Sequence, residues 1–182
     1  PITPYRLVTR PDLLAEAVRA VGTPCVVKTA GFGYDGKGQV VVRGADDHGA
    51  HAAARDLAAA GPVVVERLVD LELELSVVAA RDQHGEVVTY APVVNRHVDQ
   101  VLDLSVTPDI EESTGAPTTA PPEVGDVVTR LAVAVAERAR QLTVRVLDEL
   151  GLVGLGCVEF FLSRSGELLI NEIAPRPHNS GH

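Results

Sequence analysis

The sequence predicts an α+β protein built as two α+β lobes, residues 1–65 and 66–182. Three observations predict it. Over the first third of the chain, short Val-rich runs of the kind found in buried strands alternate with stretches of helical periodicity. From 67 to 90 the pattern changes to period two, the mark of antiparallel strands with one covered face. A long helical stripe over about 124–150 is then followed by two final strands, which places a helix and a meander in one lobe.

Thr9-Arg-Pro-Asp12 reads as a helix start, with Thr9 as the cap and Pro11 in the first turn. Leu13, Leu14, Ala17, Val18 and Val21 follow at helical spacing, and Gly22 ends the run. Pro24 to Lys28 is a short buried strand closing on a lysine, and Val40 to Arg43 is the strand that returns. Between them lies the glycine-rich segment Ala30 to Gln39. Residues 46–60 predict a second helix, weakened by Gly49, and Pro62 to Glu66 a further strand.

Along 67–81, Leu71, Leu73, Leu75 and Val77 share one face, and Glu72, Glu74 and Ser76 lie on the other, where Glu72 and Glu74 read equally well as an exposed acidic face. Asp82 to Gly85 is a hairpin turn, Glu86 to Tyr90 continues the meander, and 91–108 holds one or two short strands around Asn95-Arg-His97. Residues 109–122, rich in Pro, Thr, Ser and Glu, read as a surface loop. The helix after it would bury Val128, Leu131, Val135, Leu142, Val146 and Leu150, with Gly151 as its stop. The closing runs, VGLGCVEFFL and ELLINEIAP, predict two neighbouring strands joined by Ser163 to Gly166.

The 182 residues are 46% hydrophobic and 23% charged, an ordinary balance for a folded chain, with only 3% aromatics, so the core must rest on Val, Leu and Ala. A net charge of −9 without a basic run argues against a nucleic-acid surface. No apolar stretch reaches the roughly 18 residues of a membrane span, and the first residues do not resemble a signal peptide. Cys25 and Cys157 both sit in apolar runs and read as buried thiols rather than disulfide or zinc ligands. A cytoplasmic setting fits best. The absence of methionine, and an end at His182 inside a polar loop, lead us to expect a piece of a longer protein.

Four constellations could carry chemistry. Gly33, Gly36 and Gly38 in the segment Gly33 to Gln39 let backbone approach a ligand closely, and successive N–H groups can cradle phosphate oxygens, with Lys37 adding charge. The segment lies between strands, unlike the Walker loop or the dinucleotide fingerprint, so a hairpin lid over phosphates is the closer match. A flexible β-hairpin would have the same composition. Lys28, at a strand end just before this loop, can point an ammonium at phosphates or simply face water. Glu66, Arg67, Leu68 and Val69 form a connector whose backbone could meet an adenine edge, with Glu74 accepting from ribose hydroxyls. Lastly, Glu159 and Glu172 each lie inside an apolar run, where a lone buried charge is too costly, so pairing or a metal is expected. With Asn171 they form an all-oxygen donor set that suits magnesium on a nucleotide better than zinc or copper. Two half-exposed strand carboxylates remain the plainer reading. His97 is either exposed on its strand or in reach of a nucleotide.

Taken together, VVKTAGFGYDGKGQ, VVVERLVDLELELSVVAAR, CVEFFL and LLINEIAPRPHNSGH resemble the ATP-grasp domain of the 5-(carboxyamino)imidazole ribonucleotide synthase family over essentially the whole chain. The resemblance implies the ATP-grasp fold, two α+β lobes with the nucleotide between them, the lid in the small lobe and the metal site in the large one. It implies ATP- and Mg2+-dependent carboxylation of 5-aminoimidazole ribonucleotide with bicarbonate through carboxyphosphate, in purine biosynthesis. By motif, Lys28 and Gly33, Tyr34, Asp35, Gly36, Lys37, Gly38 and Gln39 would bind the ATP phosphates. Glu66 to Val69 would hold adenine, Glu74 the ribose, and His97 the nucleotide. Glu159 and Glu172 would bind magnesium beside Asn171. Tyr34 and Asp35 would reach the aminoimidazole. Arg176, His178, Asn179 and Ser180 would line the bicarbonate and substrate side, with Arg176, Lys37 and Asp35 as catalytic residues.

The family also has an amino-terminal domain, a small carboxy-terminal domain and a homodimeric parent. The resemblance implies that both would lie outside these 182 residues, so nucleotide binding rather than the complete activity is expected of this chain. Leu73 stands near where the family often has an arginine. Two rival readings are an ATP-grasp ligase using another acyl group, such as formate, and a non-catalytic nucleotide-binding domain.

Overall fold

The computed structural model describes residues 1–31, 38–98, 101–111 and 130–181. They fall into two units, Thr3–Val69 and Pro1–Ile2 with Asp70–His182.

The first unit opens with β1 (Tyr5–Val8), a strand that the sequence reading did not predict. A 3-10 turn over Pro11–Leu13 leads into α1 (Leu14–Val21), followed by β2 (Cys25–Thr29), β3 (Gln39–Val42), α2 (His48–Ala60) and β4 (Val63–Arg67). The expected cap at Thr9 is corrected. Arg10 takes the cap position with extended backbone and no side-chain cap bond. The residue before a proline is pushed out of the helical region, so Thr9 stands one residue too early. Asp47 does cap α2, accepting from the Ala50 N–H at 3.2 Å. The sheet order is β1-β4-β2-β3, antiparallel throughout. Val27, Val63 and Val65 point with Val42 and Cys25 into one apolar cluster, which Leu14, Ala17, Val18, Val21, Ala54 and Ala58 complete from the helices. The alternate residues of these strands, among them Lys28 and Glu66, are left on the other face.

In the second unit, β5 (Leu71–Arg81) is the central strand. The others are β6 (Val87–Thr89), β7 (Val93–Val98), β8 (Val101–Val106), β9 (Asp109–Glu111), β10 (Arg130–Ala132), α3 (Val133–Glu149), β11 (Gly154–Ser163) and β12 (Leu168–Ala174). The main sheet runs β12-β11-β5-β7-β8, with β6 also on β5. Leu73, Leu75 and Val77 of β5 and Val158, Phe160 and Leu162 of β11 form the buried face, and α3 covers it through Ala136, Ala139, Leu142 and Leu147. The backbone of Pro1 accepts from the Ile170 N–H at 2.9 Å, extending the β12 edge.

Three expectations change here. Residues 109–111, read as loop, form a strand parallel to β10, because Ile110 finds Leu131 across the pair. The helix begins at Val133, so Leu131 is buried from a strand, while 124–129, including Val128, lie outside the described residues. Its buried stripe is also narrower than predicted. Ala136, Ala139, Leu142, Thr143 and Leu147 face the sheet, Val135 and Val146 are at the margin, and Leu150 is 59% exposed. Small alanines let the backbone approach the sheet, and the larger Val residues fall to either side. Among the described residues, no helix is long and apolar enough to cross a membrane.

Candidate functional site

In the first unit the two ends of the glycine-rich segment are fixed to each other. Lys28 pairs with Gln39 across β2 and β3, and the Thr29 N–H donates to the Gly38 carbonyl at 2.8 Å. A Cβ on Gly38 would come within 2.6 Å of the Thr29 hydroxyl, so the backbone here runs too close for another residue without a shift. Gly33, Tyr34, Asp35, Gly36 and Lys37 lie outside the described residues, as does His182.

Lys28 Nζ lies 2.6 Å from Glu66 Oε2, each side chain about one-third exposed at 32% and 28%. The register explains the pair: Lys28 opposes Val64 and Glu66 opposes Val26, so the two are diagonal neighbours on the face away from the core. The connector is partly committed. The N–H groups of Arg67 and Leu68 donate to the carbonyls of Pro4 and Pro24, both at 3.0 Å, and the Arg67 guanidinium donates to the last carbonyl of α1 at Val21.

In the second unit the sheet face opposite α3 collects the remaining candidates. Glu159 stands directly across from Glu172 on β12 and from Ser76 on β5. The next row along places Glu74 beside Phe161 and Asn95. Between Glu172 and Ile170 the register slips by one, leaving Asn171 as the extra residue of a β-bulge. Bulges bend the strand and re-aim its side chains, here at the point where the amide and the carboxylate are adjacent.

Glu159 is 13% exposed and receives His178 Nε2 at 2.7 Å. Burial, reinforced by the Glu172 and Glu74 carboxylates, pushes its carboxyl above the ordinary range, against the pull of His178 and His97. A pair of oxygen donors in register, one of them destabilised by its like-charged neighbour, fits a hard divalent cation completed by outside oxygens. Among the described residues no three His, Cys, Asp or Glu side chains converge as a closed metal cage. His97 Nδ1 lies 2.5 Å from Glu74 Oε2, so the predicted ribose and nucleotide contacts are neighbours. Burial raises the Cys157 thiol to about 11 and also raises Cys25, leaving both as protonated, inert thiols.

The segment after β12 folds back over this face. Gly181 packs so close to Val78 that a Cβ would sit 3.2 Å from its methyl. Arg176 is exposed and donates to the Pro177 carbonyl at 3.0 Å, and Asn179 is exposed beside it. Ser180 is instead only 8% exposed, and its hydroxyl contacts His178 Nδ1 and the Ser76 hydroxyl, both at 2.8 Å. Ser76, on the same face as Glu72 and Glu74, is fully buried because the returning segment covers it. Asn95 donates to Ser76 at 2.9 Å and accepts from Ser105 at 2.8 Å. Sequence reasoning missed Ser76, Asn95 and Ser105 as site residues. The available signal was a polar residue with low strand preference, Asn95, inside a Val-rich strand that must bury it.

A family model described as ATP-grasp domain matches residues 1–134 and 123–182. N5-carboxyaminoimidazole ribonucleotide synthase of Bacillus subtilis (strain 168) is 36% identical over 181 residues, covering 100% of this chain and 42% of that protein. The crystal structure of the ADP complex of an N5-carboxyaminoimidazole ribonucleotide synthetase superposes with a TM-score of 0.83 at 36% identity, over 100% of this chain and 42% of that one. The corresponding synthetase from Thermus thermophilus gives 0.74 at 33% identity, with the same coverage. The chain thus spans less than half the length of the relatives it matches.

Proposed function

The chain belongs to the ATP-grasp family, and on that premise we propose that it is the ATP-binding part of a carbon–nitrogen ligase that carboxylates 5-aminoimidazole ribonucleotide with bicarbonate. The observation that carries this reading is Glu159 in register with Glu172, beside the bulge at Asn171. The relatives' names supply the product, N5-carboxyaminoimidazole ribonucleotide, and a cytoplasmic setting belongs to the same reading.

On this reading magnesium, when bound, neutralises charge on the phosphates and on the group being transferred. Glu159 and Glu172 would hold it, with Asn171 alongside. Lys28 would leave Glu66 to meet a phosphate oxygen, an exchange made cheap by the partial exposure of both side chains. With the Arg67 and Leu68 N–H groups already engaged, adenine would be read by the connector's carbonyls and the Val69 N–H. Glu74, held by His97, would accept from the ribose. Lys37 would add positive charge at the phosphates, and Tyr34 and Asp35 would meet the aminoimidazole. Attack of a bicarbonate oxygen on the terminal phosphorus would expel ADP and give carboxyphosphate, which Arg176 could hold by charge-assisted hydrogen bonds once it turns from the Pro177 carbonyl. Attack of the amine on its carboxyl carbon would release phosphate. Water must be kept out until the amine attacks.

Calorimetry tests the nucleotide half on this chain: binding of ADP or ATP that depends on magnesium supports it, and no heat at millimolar nucleotide would favour a non-catalytic domain. For the acyl group, the full-length parent is assayed for ATP turnover with bicarbonate against formate. Turnover triggered by formate alone would reassign the ligase.

A further inference from the structure

We propose that Ser76 and Asn95 are positioning residues, the core of a one-directional hydrogen-bond relay that fixes His178 as its Nε2–H tautomer against Glu159. The relay runs through six side chains. Ser105 donates to Asn95 Oδ1, Asn95 Nδ2 donates to Ser76, and Ser76 donates to Ser180. Each hydroxyl has one proton to give. Since Ser76 receives from Asn95 and spends its proton on Ser180, the Ser180 proton is left for His178 Nδ1 at 2.8 Å.

The far end agrees independently. The backbone N–H of Ser180 also points at His178 Nδ1, at 3.3 Å, and a backbone N–H can only donate. Nδ1 is therefore an acceptor, the ring proton sits on Nε2, and it is given to Glu159 Oε1 at 2.7 Å. Ser76 is fully buried and Asn95 is 6% exposed, so water does not compete for these bonds. The relay ties strands β5, β7 and β8 to the segment after β12 and ends on a carboxylate in its accepting form. A histidine held this way fixes one oxygen of Glu159 and its rotamer in advance. That consequence rests on the magnesium reading above, in which Glu159 is a ligand and the relay its outer support.

The test compares Ser76→Ala with Ser76→Thr, which keeps the hydroxyl, in the 182-residue chain labelled with 15N-histidine. In the parent the two ring nitrogens of His178 should resonate as one protonated and one bare nitrogen. Ser76→Ala should move the two signals part of the way toward each other, because the Ser180 hydroxyl becomes free to accept while its backbone N–H and Glu159 still favour the Nε2–H form. It should also weaken magnesium-dependent ADP binding about tenfold, while magnesium-free ADP binding stays constant. Ser76→Thr should keep the parent pattern even if its added methyl lowers the melting temperature. A parent-like pattern in Ser76→Ala, or equal changes in both variants, would overturn the proposal and leave Ser76 a packing residue. Should Ser76→Ala not fold, Ser105→Ala reads the same signals with the same two outcomes. Tautomer mixing in Ser76→Ala, in a chain whose parent shows no magnesium-dependent binding, would retire the nucleotide reading and leave the relay standing.

Discussion

At the scale of single residues, Glu159 joins stability to function. Its carboxyl is raised by burial and by the neighbouring carboxylates, so the folded chain holds that proton to a higher pH than the unfolded chain does. Stability from this group is therefore fully present below the ordinary carboxylate range and is lost as pH rises through the raised value. Glu159→Gln should raise the melting temperature at pH 7 to 8, and the gain should vanish near pH 4, where both forms are neutral. A thermal denaturation series across that range checks it, and a loss of stability at neutral pH would show that the charge itself holds the fold. Lys28 makes the opposite case. Its pair with Glu66 is partly exposed, so Lys28→Met should cost under about 1 kcal/mol while weakening nucleotide binding severalfold. Parallel melting and calorimetry separate the two effects.

At the scale of elements, the turns and helix ends respond to glycine in opposite senses. Gly151 follows α3 with φ +59 and open space around it, so Gly151→Ala meets no clash but must hold a left-handed backbone, at a cost of about 1 kcal/mol. Gly49 lies in the first turn of α2, and a Cβ there would meet nothing within 4 Å, so Gly49→Ala should stabilise by up to about 0.5 kcal/mol. Urea denaturation of the two variants should move the midpoint in opposite directions. Elements whose periodicity is set locally, such as α1 and the β11–β12 hairpin, were legible in the sequence. β1 and the β9–β10 pair were not, because a short strand is defined by a partner far along the chain. The polar composition after Asp109 gave no hint of Leu131.

At the scale of the whole molecule, each unit has its own apolar cluster. Leu75, fully buried at the centre of the second, is the sensitive position: Leu75→Ala should cost about 2 to 5 kcal/mol. Native-state hydrogen exchange should then quicken across Asp70–His182 and leave the slowest amides of Thr3–Val69 unchanged. Equal acceleration in both would mean that the two unfold as one cooperative body.

The sequence by itself determined the α+β class, most of the strands and helices, and the carboxylates and lysine that a nucleotide site would need. Those features are written in periodicity and, for Glu159, in the cost of burying charge, whereas Glu172 stands exposed on its strand. Only the tertiary structure decided that Glu159 and Glu172 share a register, that Asn171 is the bulged residue, and that Ser76 is buried. The relay from Ser105 to Glu159 belongs to the same class. Its partners come from distant strands and a returning loop, and a hydrogen-bond direction exists only once those atoms meet.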